Sequence, residues 1–198
     1  SENKKEIELV KELHPDCEQY WQTYDKYGLW TDHTIMAHCV HSDEREQQAM
    51  IDHNVLCVHC PDSNINICSG FAPVRQMKER GVWVALGSDI AGGAQLQMLQ
   101  VLTGCLRMSK ARAIATDGKE HFLTVGEAYY LATSAGSRYF GDEDGFAPGN
   151  PLHAVVLDET RLPPSARELT VKERFERAVY LADDRSIAAV YGGGRKIK

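Results

Sequence analysis

Three short apolar runs, "TIMAHC" (34–39), "VLCVHC" (55–60) and "VWVALGS" (82–88), punctuate the first half of the chain at regular intervals. Each is apolar on both faces, the pattern of a strand covered on both sides, and strands that alternate with helices are parallel. Between the first two runs, Ser42 is placed to cap a helix with Asp43, Glu44 and Glu46 in its first turn, where carboxylates suit the helix dipole. Between the second and third, a loop "PDSNINICSG" (61–70) leads into a helix over 72–80 that Gly81 closes. A long helix over roughly 95–114 follows the third run. Ahead of the first run, residues 3–14 put Ile7, Val10 and Leu13 on one helical stripe, and 18–28 reads as a helix or helical turn rich in aromatics. The fold class is therefore α/β, with a parallel sheet and helices outside it.

Beyond that long helix the alternation ends. "TVGE" (124–127) and "TVKE" (170–173) are capping boxes that open helices, while "HAVVLD" (153–158) and "IAAVYGGGRKI" (187–197) read as strands and a terminal turn. Turn-rich stretches at 145–151 and 161–167 mark the change, which predicts an α/β unit over 1–145 and a returning segment over 146–198 with a β-rich flanking domain and a terminal helix. There is no internal repeat and no low-complexity tract.

Composition excludes several partners. With 43% hydrophobic and 25% charged residues the 198-residue chain supports one sizeable core, and a net charge of −6 argues against a nucleic acid partner, which needs a basic face. The opening "SENKKEIELVK" has no signal-like apolar region and no run reaches the roughly 18 apolar residues of a membrane span, so no membrane partner and a cytoplasmic location are expected. Cys39, Cys57 and Cys105 sit within apolar segments, as reduced buried thiols do. Cys57 and Cys60 form a C-x-x-C, yet positions three apart on a strand point to opposite faces, and no second pair completes a four-ligand zinc site.

In parallel α/β architectures functional groups gather at the carboxyl ends of strands. Four polar groups occupy such places: Glu2 before the first helix, His38 after "TIMA", His59 after "VLCV" and Asp89 after "VWVALGS". Together they suit acid–base or metal chemistry. Singly, each has a plainer reading, as a hydrogen-bonded structural histidine, a turn-capping aspartate or a solvated glutamate at a helix start. H-x-H, H-E-x-x-H, G-x-S-x-G and phosphate-loop patterns are all absent, which leaves these strand-end groups as the candidates.

"MAHCVH", "VHCPDSNINICSG" and "VALGSDIAGG", together with "SENKKEIELVKELHP", "YDKYGLWTDHTIMAH" and "LADDRSIAAVYGGGRK", resemble the carboxyl-terminal part of the guanine deaminase family within the amidohydrolase superfamily of metal-dependent hydrolases. The resemblance covers nearly the whole chain. It implies the carboxyl-terminal half of a (β/α)8 TIM-type barrel with part of a small flanking β-rich domain, a Zn2+ cofactor, a small-molecule purine substrate, deamination of guanine to xanthine, and a homodimer. It also implies roles: Glu2 in substrate binding and proton shuttling, His38 in substrate binding and in catalysis beside the metal and the attacking water, and Asp89 as metal ligand and catalytic base. One departure is Asp62, where the family usually has asparagine, which is expected to alter the loop more than the chemistry. Another is that the family's H-x-H, its remaining histidine ligand and a substrate-recognition arginine find no counterpart here. A TIM-type barrel takes about 250 residues and eight strands, so the chain is expected to be a fragment that binds zinc poorly alone. A related substrate (cytosine, an adenosine derivative or a triazine) and a non-catalytic half-barrel module are the alternative readings.

Overall fold

The computed structural model describes residues 1–142 and 145–198. It begins with α1 (Lys4–Leu13), where the Asn3 side chain caps the first turn by accepting from the Lys5 N–H, and α2 (Gln22–Asp25) is a single turn. The repeating part follows: β1 (Ile35–Ala37), α3 (Glu44–Asp52), β2 (Leu56–His59), α4 (Pro61–Asn66), α5 (Val74–Arg80), β3 (Val84–Leu86) and α6 (Met98–Ala115). Next come α7 (Val125–Ala132), α8 (Ser134–Ser137), β4 (Ala154–Leu157), α9 (Val171–Leu181), β5 (Ile187–Gly192) and β6 (Arg195–Lys196).

The sheet β1-β2-β3 is parallel throughout, with Ile35 beside Leu56 and Cys57 beside Val84. Strands adjacent in both sequence and space, each reached through helices, form an arc of a barrel wall. In this sheet β1 and β3 each have a strand neighbour on one side only among the described residues. β3 is buried along its whole length and β2 nearly so, whereas Ile35 on β1 is 47% exposed, so the two-sided covering read from the sequence applies to β2 and β3 and not to β1. The core lies between strands and helices, where Leu56, Val84, Met50, Met77, Leu102, Leu106, Leu123 and Leu131 interlock. Each large aliphatic buried there contributes about 1.5–3 kcal/mol.

Two local expectations need correction. The first cap of α3 is Asp43, one residue after Ser42, and its carboxylate accepts from the Glu46 N–H. Residues 61–66 are helical rather than loop: Pro61 occupies the first turn, where its missing N–H costs nothing and its fixed φ favours the helix. Both capping boxes are formed, at Thr124/Glu127 and Thr170/Glu173.

The returning segment makes an antiparallel sheet, β4-β5-β6, with a bulge between Val156 and Leu157. Its helix α9 precedes β5 and β6, so the described chain ends on a hairpin rather than a helix. α9 is attached to α6 through Thr103 Oγ1, which donates to the Val179 carbonyl at 2.8 Å, and Gln100 Nε2, which donates to the Ala182 carbonyl at 3.0 Å. Among the described residues no helix is long and apolar enough to cross a membrane.

Candidate active site

Glu2, His38 and Asp89 converge at the carboxyl ends of the parallel strands. Glu2 is fixed from behind: the Ser1 hydroxyl donates to Glu46 Oε1 on α3 at 2.6 Å, the Ser42 hydroxyl donates to the same oxygen, and the His41 N–H donates to the Ser1 carbonyl at 3.1 Å. Glu46 is almost fully buried, and these two hydroxyls give its charge the partners that a buried carboxylate requires. The Glu2 side chain itself accepts from the Ser69 hydroxyl at Oε1, 2.8 Å away.

His38 follows β1 directly and takes φ +68°, while Asp89 lies past β3 at φ +46°. Left-handed backbone of this kind is unusual for side chains with a Cβ, although Asp and His are among those that tolerate it. Here it sends the chain sharply off the strand, and the His38 N–H is retained by the Val58 carbonyl on β2 at 2.8 Å.

His38 stands between the two carboxylates. Its Nδ1 is 2.9 Å from Asn64 Oδ1 and 3.4 Å from Glu2 Oε1, and its Nε2 is 3.8 Å from Asp89 Oδ2. Two acceptor oxygens beside Nδ1 make that nitrogen a donor, and Nε2 faces Asp89. The Glu2 and His38 side chains are 17% and 16% exposed against 39% for Asp89, so the open part of the cluster is at the aspartate. A carboxylate, an oriented imidazole and a second carboxylate at one set of strand ends can hold a water molecule, take its proton and deliver a proton elsewhere.

His59 does not join this group. It is buried at the end of β2 and lines a small cavity with Ala72, Val74, Cys105, Met108 and Leu123, and its Nδ1 has no hydrogen-bond partner. Burial, with a smaller contribution from His38, pushes its pKa down to about 3, so it stays neutral. The Cys60 thiol is pushed up to about 12 by burial and by the negative charge of Asp89, and the fully buried Cys57 is also raised, so neither is a thiolate near neutral pH.

Asn64 and Ser69 are the site neighbours that the sequence reading missed. Both come from 61–70, and the signal available was a set of amide and hydroxyl side chains immediately after a strand end. Among the described residues no three His, Cys, Asp or Glu side chains are grouped to hold a metal. The donor chemistry fits a contributing carboxylate, Asp89, with an imidazole next to it, and not a whole coordination shell.

The chain belongs to the amidohydrolase family, whose model matches residues 1–197. It is 36% identical to a guanine deaminase of Dictyostelium discoideum over 204 aligned positions, which take in 100% of this chain and 45% of that protein. Among solved structures it is similar to the guanine deaminase of C. acetobutylicum with bound guanine in the active site, at 39% identity and a TM-score of 0.93, covering 100% of this chain and 47% of that one. The E. coli guanine deaminase superposes with a TM-score of 0.89 at 31% identity, covering 100% and 46%. The chain thus spans about half the length of the relatives it matches, and its architecture is half of the amidohydrolase barrel with part of the flanking sheet.

Proposed function

We propose that this chain supplies the acid–base half of the active site of an enzyme that hydrolyses guanine to xanthine and ammonia, the other barrel strands and the remaining metal ligands coming from polypeptide outside residues 1–198. The observation that carries this reading is His38 held between Glu2, at 3.4 Å, and Asp89, at 3.8 Å, at the ends of parallel strands. The similarity to guanine deaminases over the full chain supports the substrate.

In this reading Asp89 is a zinc ligand, and zinc when bound lowers the pKa of water towards about 7. Asp89 Oδ2 takes the proton of the attacking water, and His38 Nε2 holds that water against the amino-bearing carbon. Glu2, fixed by Ser69, would give its proton to a ring nitrogen of guanine, take up the proton that the added hydroxyl gives up as the new carbonyl forms and pass it to the departing amine, while the proton held by Asp89 returns to Glu2, so one water is consumed and one ammonia released. The two carboxylates perform separate jobs because the imidazole between them keeps them apart. All six cysteines are free thiols, which supports a reducing, cytoplasmic setting. The reading extends to a homodimer working in purine catabolism, as the resemblance implies.

The test is guanine turnover, followed by ultraviolet absorbance, by the complete protein with added zinc. Conversion to xanthine is expected. A folded, zinc-loaded protein that leaves guanine untouched would overturn the substrate and direct the search to other aminated heterocycles, while one that binds no zinc would favour a non-catalytic module.

A further inference from the structure

The turn that carries Asp89 is gripped by α4. Asp62 Oδ2 accepts from the Ala94 N–H at 2.6 Å, and Asn66 Nδ2 donates to the Gly92 carbonyl at 2.8 Å. Between these two bonds the turn leaves no room for side chains at its glycines: a Cβ on Gly92 would lie 2.6 Å from Ser63 Oγ and 2.8 Å from Asp89 Oδ2, and one on Gly93 would strike the Ser88 carbonyl. Inside the turn, the Gly93 N–H closes onto the Asp89 carbonyl at 2.7 Å. None of these α4 side chains touches Glu2 or His38 in a hydrogen bond, so they serve the aspartate alone.

We infer that Asp62 and Asn66 are positioning residues that set the Asp89 carboxylate for metal binding, acting through residues 92–94. The inference rests on the reading of Asp89 as a zinc ligand. Its physical basis is that the chain leaves Asp89 in a left-handed conformation and that the turn which follows is held by two hydrogen bonds from α4 and by close packing at Gly92 and Gly93. A carboxylate acceptor on a backbone N–H is among the stronger single bonds available for this. Asp62 requires only an acceptor oxygen at Oδ2, and Asn66 only a donor, so conservative exchanges separate the roles.

The experiment measures zinc affinity by chelator competition in the complete protein, together with hydrogen exchange at the Ala94 amide and the melting temperature of the zinc-free form. Asp62→Ala is expected to speed exchange at Ala94 and to raise the zinc Kd about 10- to 100-fold, as loss of an outer-shell partner does, with the zinc-free melting temperature held. Asp62→Asn, which keeps the acceptor, is expected to restore both values. Asn66→Asp, nearly isosteric but without the donor, is expected to weaken zinc in the same direction and carries the test should Asp62→Ala fail to fold. Asp89→Asn is the control. If it abolishes tight zinc binding while Asp62→Ala and Asn66→Asp bind as wild type, the positioning role is overturned and the ligand reading stands. If Asp89→Asn itself binds zinc as wild type, the ligand reading fails and this inference falls with it.

Discussion

His38 and Asn64 meet through Nδ1 and Oδ1 at 2.9 Å, a contact that joins the end of β1 to α4. Asn64 is fully buried and orients the imidazole. Asn64→Ala in the complete protein is expected to lower turnover about tenfold, the worth of one hydrogen bond that orders a catalytic ring. The loss should fall on kcat more than on KM, and steady-state kinetics with guanine would show whether it does.

Glu2→Gln keeps the shape and the Ser69 contact but removes the titrating oxygen. Turnover is expected to drop by about 10²- to 10⁴-fold with zinc content unchanged. Metal analysis beside the kinetics decides the point, since loss of zinc in this variant would make Glu2 a ligand instead of a proton carrier.

Asp89→Ala is expected to lose both tight zinc and turnover. Near-normal activity in this variant would remove the assignment of metal ligand and base together.

His59 sets an acid-side stability slope. Its pKa is about 3 in the fold against 6.5 in an unconstrained histidine, so below about pH 6.5 the unfolded chain takes up a proton that the native state refuses. Stability is therefore lost as pH falls, down to about pH 3, by at most about 4–5 kcal/mol. His59→Phe removes this contribution. Denaturant unfolding of both proteins across the range should show the difference between them shrinking in favour of the variant as pH drops.

Glu127 ties α5 to α7. It receives both terminal nitrogens of Arg75 at 2.8 Å and Lys78 Nζ at 3.0 Å, and it closes the capping box with Thr124. The Arg75 guanidinium, ahead of the other partners, holds its carboxyl well below the usual carboxylate range. The stabilisation is present above pH about 4.5 and disappears as pH falls through the lowered value. Glu127→Gln is expected to destabilise the protein at neutral pH by about 1–2 kcal/mol, read as a shift in unfolding midpoint.

The order of strands and helices from β1 to α6 was legible because apolar runs and helix caps are local signals. Gly81 closes α5 at φ +95°, as its position in the sequence suggests. α4 was not legible as a helix: Asp, Ser and Asn over 62–66 look like turn residues, and the Asp62, Asn64 and Asn66 side chains turn out to be engaged at the ends of other strands. The Asp62 carboxylate accepts from the Ala94 N–H in the turn that follows Asp89. Residues that carry a resemblance, Glu2, His38 and Asp89, could be named from sequence. Ser69 and Glu46, which hold Glu2 or its neighbour across 67 and 45 residues, have no periodicity to betray them.

His38 and Asp89 both occupy backbone that glycine would enter freely, whereas an ordinary side chain there costs on the order of 1 kcal/mol or more. At His38 that cost is offset by the bond to the buried Asn64, which His38→Gly would leave without its partner, whereas the Asp89 side chain is the more open of the two. A selection for heat tolerance alone would therefore reward Asp89→Gly at the expense of the proposed site, and any programme to harden this scaffold has to hold that codon fixed.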